Sequence, residues 1–152
     1  MAYFRFIRAN WVFLLAGFLL TFTSAYGQTY FISLFAGEIK GSFGLSDGQW
    51  GGIYTIGTTL SAITIVWAGV LTDRFRVRRL SFWVMVALAG ACLAMAAVPN
   101  WIALIFVIYA LRLTGQGMMS QLGAVAMVRW FEAARGKALS LSSMGFAAGQ
   151  AI

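Results

Sequence analysis

One charged residue, Arg112, lies well inside a long apolar stretch that runs from Trp101 to about Val128. It follows Asn100 by twelve residues. At 1.5 Å per residue this places it about 18 Å along a helix, near the middle of a bilayer core about 30 Å thick. A charge at that depth is expensive and normally faces a bundle interior or a partner. The guanidinium therefore either binds an anion or takes part in ion coupling, or it bonds backbone carbonyls of a neighbouring helix and holds the bundle together.

Other polar side chains could share a site with Arg112. In a regular helix, Tyr109, Gln116 and Gly123 recur on the face that Arg112 occupies. The apolar stretch 11–35 has polar residues on two opposite sides: Thr21, Ser24 and Gln28 on one, and Thr23, Tyr26, Tyr30 and Ser33 on the other. We expect one side to pack and the other to face a cavity, and the pattern does not decide between them. The candidate ligand-binding residues are Arg112, Gln28, Tyr26, Tyr30 and Gln116.

A second group of charges lies in the segment from Gly69 to Arg79. Here one acidic residue, Asp73, stands among four arginines, Arg74, Arg76, Arg78 and Arg79. Acidic residues contribute little to the orientation of a membrane protein, so Asp73 calls for another role. A later polar segment carries Glu132 and Arg135.

Several kinds of chemistry are not supported by the residues present. The sequence has no His, one Cys and no acidic residue inside a long apolar stretch. Metal binding and acid–base catalysis need clusters of His, Cys or carboxylates, so we predict no enzyme, no catalytic residue, no metal site and no cofactor. Basic residues fall in three separate short segments, which is unlike a nucleic-acid surface.

The elements that must position these residues are membrane-spanning helices. The chain is 61% hydrophobic and only 10% charged, outside the range of soluble domains. About 20 apolar residues cross a bilayer. We predict an all-α polytopic membrane protein with four complete transmembrane helices and a truncated fifth. The predicted helices cover about 11–35, 48–71, 80–98, 101–128 and 136–152. Because the last stretch is still apolar at residue 152, we expect residues 1–152 to be an incomplete N-terminal transmembrane domain.

Helix starts and loop charges support this arrangement. Ser46 to Gln49 has the S-x-x-Q form of a capping box, and Asn100 follows Pro99 as an N-cap. Outside the predicted helices, nine basic residues fall on one side of the membrane and only Lys40 on the other. This bias predicts a cytoplasmic N-terminus. Labelling that placed residue 40 and the segment after residue 73 in the same compartment would contradict it.

Three motifs resemble the major facilitator superfamily of secondary transporters. The segment G-x-x-x-D-R-x-x-x-R, formed by Gly69, Asp73, Arg74 and Arg78, is similar to the family's loop between the second and third helices. The family pattern also has a glycine three residues after the aspartate, followed by a basic residue. This sequence has Arg76 and Val77 at those two positions. Arg112 with two following glycines, and the W-F-x-x-x-R-G-x-A form after residue 129, are also similar to family elements.

The resemblance implies a part of the N-terminal six-helix half of a twelve-helix transporter, whose two halves rock about a central site. From it we expect Gly69, Asp73, Arg74, Arg78, Glu132 and Arg135 to form a cytoplasmic gate that favours the outward-open state. The alternative is that these charges only fix orientation and solvate the loops. Residues 1–152 alone would then not transport, because half of the cavity wall would be missing.

The helix 1 stretch together with Arg112 is loosely similar to the carriers of oxalate, formate and other monocarboxylates. The expected partners are the lipid bilayer, a small organic anion, and protons or a counter-transported anion. The expected location is the bacterial inner membrane. A drug or metabolite exporter of the same superfamily and a membrane scaffold without transport activity remain as alternatives.

Overall fold

The computed structural model describes residues 2–151, and the start of the chain forms a helix that is then interrupted. Helix α1 spans Ala2–Thr23 and is followed by a 3-10 turn over Ser24–Gly27. After an extended residue, Gln28, the chain continues as helix α2 over Thr29–Leu34 and helix α3 over Ala36–Phe43. The prediction of one continuous helix over 11–35 is therefore wrong.

Local side-chain bonds accompany the break. Ser24 Oγ donates a hydrogen bond to the Thr21 carbonyl at 2.6 Å, and Thr23 Oγ1 donates to the Leu19 carbonyl at 2.8 Å. Such bonds from Ser and Thr to carbonyls of the preceding turn often bend helices. Gln28 then takes φ −80° and ψ 154°, so the next helix starts in a new direction.

The remaining elements are also helices. Helix α4 spans Asp47–Arg74 and helix α5 spans Val77–Ala96. A single long rod follows, built from helix α6 (Trp101–Leu111), a π-helical segment (Arg112–Met119) and helix α7 (Ser120–Trp130). A short 3-10 turn at Glu132–Ala134 leads into helix α8 (Arg135–Gln150). Residue 152, the predicted end of the fifth helix, lies outside the described residues.

The predicted helix starts are confirmed. Ser46 Oγ accepts a hydrogen bond from the Gln49 backbone N–H at 3.2 Å, and Gln49 Oε1 accepts one from the Ser46 N–H at 2.9 Å. The two bonds form a complete capping box at the start of α4. Asn100 Oδ1 accepts from the Ala103 N–H at 2.9 Å. Both starts satisfy backbone donors that a helix leaves unpaired.

The rod is the centre of the bundle. Its fully buried side chains include Leu104, Ile108, Met119, Leu122 and Met127. α4 packs on α6 where Gly57 meets Ile108, since a Cβ at Gly57 would lie 2.9 Å from Ile108 Cγ2. A small residue here lets the two helices approach closely.

Helix α8 packs along α1 in the same way. Ser142 is buried, and its hydroxyl donates to the Gly17 carbonyl at 2.9 Å. Gly145 lies against the Phe18 carbonyl and Gly149 against Ala25, where a Cβ would come within 2.7 Å of the Ala25 Cβ. The small residues of the last apolar segment therefore let α8 approach α1 closely. In α5, by contrast, Leu88 and Ala91 are the only buried residues between Ala87 and Ala97.

The outer surface of the bundle is apolar. Trp67, Leu93 and Val66 are each more than 70% exposed. Four helices are long and apolar enough to cross a membrane: Phe4–Gly27, Asp47–Arg74, Val77–Ala96 and Trp101–Trp130. The all-α, membrane-spanning fold class is confirmed, and every regular element within residues 2–151 is helical.

Candidate functional site

The guanidinium of Arg112 lies where three elements meet. Its Nη1 donates to Thr29 Oγ1 at 2.9 Å and approaches the Gly27 carbonyl oxygen at 3.5 Å. The Cζ atom lies 5.8 Å from the centre of the Tyr54 ring, within range of a cation–π interaction. Arg112 is thus held by the start of α2, the 3-10 turn before it and helix α4.

Thr29 joins these elements through one oxygen. Besides the bond from Arg112, Thr29 Oγ1 accepts a hydrogen bond from the Tyr54 hydroxyl at 3.0 Å. Thr29 and Tyr54 were not among the site residues predicted from the sequence. Their position depends on the break before Thr29, which resets the direction of the helix that follows.

The other candidates on the first apolar stretch do not gather around Arg112. Gln28 is buried, whereas Tyr26 is exposed and packs edge-on against Phe31 with ring centres 5.2 Å apart. The Tyr30 ring packs against Phe146 at 6.4 Å. None of Gln28, Tyr26 and Tyr30 makes a side-chain hydrogen bond with Arg112 in the described part of the chain.

Gln116 does share a site with Arg112. Both line a cavity of about 270 Å³ between α4 and the rod. The complete lining consists of Thr58, Ser61, Ala62, Ile65, Arg112, Gln116, Gly117, Ser120 and Gln121. Six of the nine lining residues carry polar side chains, although the cavity lies between two apolar helices.

A π-helical segment, which the periodicity did not predict, positions both residues. It begins at Arg112, and Thr114 Oγ1 donates back to the Ala110 carbonyl at 2.6 Å. Gly115 packs directly on Gly27, since a Cβ on Gly115 would lie 2.6 Å from the Gly27 Cα. Two glycines therefore let the first part of the chain cross the rod beside Arg112. Such segments are rare and frequent at functional sites.

The π-helical segment also splits the predicted polar stripe. Tyr109 donates to Thr64 Oγ1 of α4 at 3.2 Å, whereas Gly123 packs against Thr21 of α1. A π-helix turns less per residue than an α-helix, because each hydrogen bond spans one more residue. Gly123 thus faces a different neighbour from Tyr109, and the prediction of one shared face for them is wrong.

At the basic end of the bundle, formed by residues 73–79 and 129–137, one ion pair joins two helices. Arg129 Nη2 lies 3.1 Å from Asp73 Oδ1, with both side chains largely exposed. Asp73 therefore pairs with a residue that the sequence analysis did not name, although Arg129 stands just before the W-F motif. The other gate candidates, Arg74, Arg78, Glu132 and Arg135, are exposed and make no ion pair within residues 2–151. Gly69 lies on α4 beside Gln121.

The fold and site together define a multi-pass integral membrane protein with a polar centre. Comparison with known protein families makes the assignment specific. The model of the Major Facilitator Superfamily matches residues 10–152, and the chain belongs to that family of membrane transporters. Neither the curated proteins nor the solved structures yielded a match.

Proposed function

We propose that the chain is part of a secondary active transporter for a small organic anion, with Arg112 as the anion-binding residue. One observation carries the proposal: the groups that bind Arg112 are neutral. They are the Thr29 hydroxyl, the Gly27 carbonyl and the Tyr54 ring. An intramembrane charge normally pairs with an opposite charge or with backbone carbonyls. Here the one carbonyl contact, to Gly27, is long at 3.5 Å, and an anionic substrate would supply the opposite charge.

The chemistry of a guanidinium favours a carboxylate as that substrate. Arginine binds carboxylates through two parallel hydrogen bonds, and such charge-assisted bonds are roughly twice as strong as neutral ones. Together with the loose resemblance of helix 1 and Arg112 to oxalate and formate carriers, this favours small mono- and dicarboxylates. Coupling to protons or to a counter-transported anion belongs to the same proposal.

The proposed gate is the Asp73–Arg129 pair at the basic end, which the charge bias assigns to the cytoplasm. The pair would favour the outward-open state and break when the inner side opens, with Arg74, Arg78, Glu132 and Arg135 supplying further charges around it. A bias of a few kcal/mol is enough to shift a two-state population strongly.

Uptake measurements test the proposal. Labelled formate and oxalate are offered to cells or proteoliposomes that carry the complete product of the reading frame containing this chain. We expect uptake by the wild type and a loss of at least tenfold with Arg112→Gln. Arg79→Gln, at an exposed arginine without an ion pair, serves as the matched control.

Different results would point to the alternatives. A protein that takes up neither anion but exports a cationic or neutral compound would contradict the anion assignment. Repeating the assay with a proton uncoupler separates proton-coupled uptake from anion exchange.

A further inference from the structure

Three polar atoms without partners belong to residues around a single cavity. Five buried side-chain polar atoms within the described residues lack a hydrogen-bond partner. Three of them are Thr58 Oγ1, Arg112 Nε and Gln116 Oε1, and all three residues line the cavity between α4 and the π-helical segment. Buried polar atoms are rarely left unpaired, so a group of them around one space points to an occupant.

The two sides of the Arg112 guanidinium have different surroundings. Nη1 is already bound to Thr29 and is close to the Gly27 carbonyl. Nε is buried and has no partner within residues 2–151. Arg112 thus has one fixed edge and one donor that is still available.

The lining offers the groups that a carboxylate needs. Arg112 Nε–H is a donor, and the Thr58 hydroxyl, which has no hydrogen-bond partner within residues 2–151, can also donate. Gln116 can present its amide NH₂ instead of Oε1 after a half-turn of the amide, since the two ends are nearly equivalent in shape. Three donors would then surround one anion.

Size and charge restrict the occupant. A cavity needs about 10–15 Å³ to hold one water, so a volume of about 270 Å³ has room for a small carboxylate. Gly117 keeps part of this space open, because a Cβ there would lie 2.8 Å from Ile65 Cδ1. No acidic residue lines the cavity, and the positive charge of Arg112 therefore favours an anion over a neutral solute.

We propose that this cavity is the binding site of the transported anion, and that Thr58 and Gln116 are specificity-determining residues beside Arg112. The inference rests on the proposed function and goes beyond it by giving the anion a place and a size. Of the five binding residues predicted from sequence, Arg112 and Gln116 line this cavity. Gln28, Tyr26 and Tyr30 do not.

Binding to the purified complete product of the reading frame in detergent tests the inference. Titration calorimetry with sodium formate and sodium oxalate gives the Kd at constant chloride concentration. We expect Thr58→Val and Gln116→Leu each to raise the Kd about tenfold, because each removes a hydrogen bond to a charged group. Thr58→Ser keeps the hydroxyl and should bind like the wild type.

Matched controls separate a lost contact from a damaged fold. Thr59→Val changes the next, exposed threonine of α4, and Gln150→Leu changes an exposed glutamine at the end of α8. Both should leave the Kd unchanged. Gly117→Ala should weaken oxalate more than formate, because it narrows the cavity.

Two results would contradict binding of the anion in this cavity. If Arg112→Gln abolished binding while Thr58→Val and Gln116→Leu bound like the wild type, the anion would bind Arg112 elsewhere and the proposed function would stand. If the wild-type chain bound neither anion, the cavity would hold water only. Uptake by the complete protein would then decide the proposed function on its own.

Discussion

Thr29 is the residue on which the position of Arg112 depends most directly. A single hydroxyl oxygen accepts hydrogen bonds from both Arg112 and Tyr54. It therefore connects the start of α2 with α4 and with the rod. Removing this oxygen would leave two donors to find new partners at once.

We predict that Thr29→Val lowers the free energy of unfolding by about 1 kcal/mol. Side-chain hydrogen bonds in helical membrane proteins contribute about 0.6 kcal/mol on average, and two are lost here. Unfolding in mixed detergent micelles measures the effect. Thr29→Ser, which keeps the hydroxyl, should stay within about 0.3 kcal/mol of the wild type. An equal loss of stability in both variants would argue against a stabilising role for the two hydrogen bonds that this hydroxyl accepts.

The Asp73–Arg129 pair should matter for transport more than for stability. Exposed ion pairs contribute about 0.2–1 kcal/mol, so Asp73→Asn should change the free energy of unfolding by less than about 1 kcal/mol and leave membrane insertion unchanged. We expect uptake by the complete protein to fall by up to about fivefold, because 1 kcal/mol, the upper end of that range, changes a two-state ratio by that factor.

A charge swap provides the control for this pair. Asp73→Arg combined with Arg129→Asp restores opposite charges at 3.1 Å and should recover most of the uptake. If Asp73→Asn transported at the wild-type rate, these charges would serve orientation and solvation alone.

At the scale of elements, the crossing of the 3-10 turn and the π-helical segment is the tightest contact beside the site. A Cβ on Gly27 would collide with the Leu111 carbonyl and come within 2.7 Å of the Gly115 Cα. Both partners are backbone atoms and cannot move aside as a flexible side chain would. The two elements must separate if either glycine gains a side chain.

We predict that Gly27→Ala destabilises the bundle by about 2 kcal/mol, the usual cost of overpacking. Gly41→Ala is the matched control, because a Cβ there meets nothing within 4 Å and alanine favours the helix by about 0.5–1 kcal/mol. In thermal unfolding in detergent, the Tm should fall for Gly27→Ala and rise for Gly41→Ala.

The elements show which features the sequence could predict. Helix starts were predictable, because the bonds of Ser46, Gln49 and Asn100 are local and reach only three residues along the chain. The break at Ser24–Gly27 and the π-helical segment were not, because small and polar residues within a long span do not by themselves specify a change of helix type. Their geometry depends on the contact between Gly27 and Gly115, which are far apart in sequence.

The same distinction applies to the candidate site. Arg112 could be singled out, because a lone charge in an apolar stretch needs an explanation. Thr29 could not, because a helical wheel assumes one continuous helix from residue 11 to residue 35. Tyr54 could not either, because its hydrogen bond to Thr29 depends on the break in that helix. Thr58 is one of several hydroxyls on α4, and only its place in the lining of the cavity distinguishes it from the exposed Thr59.

For the whole molecule, the distribution of charges predicts how the bundle is oriented in the membrane. Asp73 and Arg129 bring the segments 73–79 and 129–137 to one end, whereas the Lys40–Asp47 pair, with 2.6 Å between Nζ and Oδ1, joins α3 to the start of α4. The bias of basic residues predicts that the former end faces the cytoplasm.

We predict that single cysteines at the two ends label from opposite sides. In a Cys92→Ser background, Gly41→Cys should react with a membrane-impermeant maleimide in intact cells, whereas Arg76→Cys should react only after permeabilisation. Both positions are exposed. Labelling of both from the same side would overturn the proposed orientation.

The apolar outer surface reverses the usual order of substitution costs. In a water-soluble protein the bulkiest interior side chains contribute most, since burial removes them from water. Here Trp67 and Leu93 face outward, and lipid tails solvate them as well as a protein interior would. Replacing such large outward-facing residues with smaller ones should leave the stability of the protein nearly unchanged. Enlarging the smallest residues at the helix contacts should lower it more than any other kind of substitution.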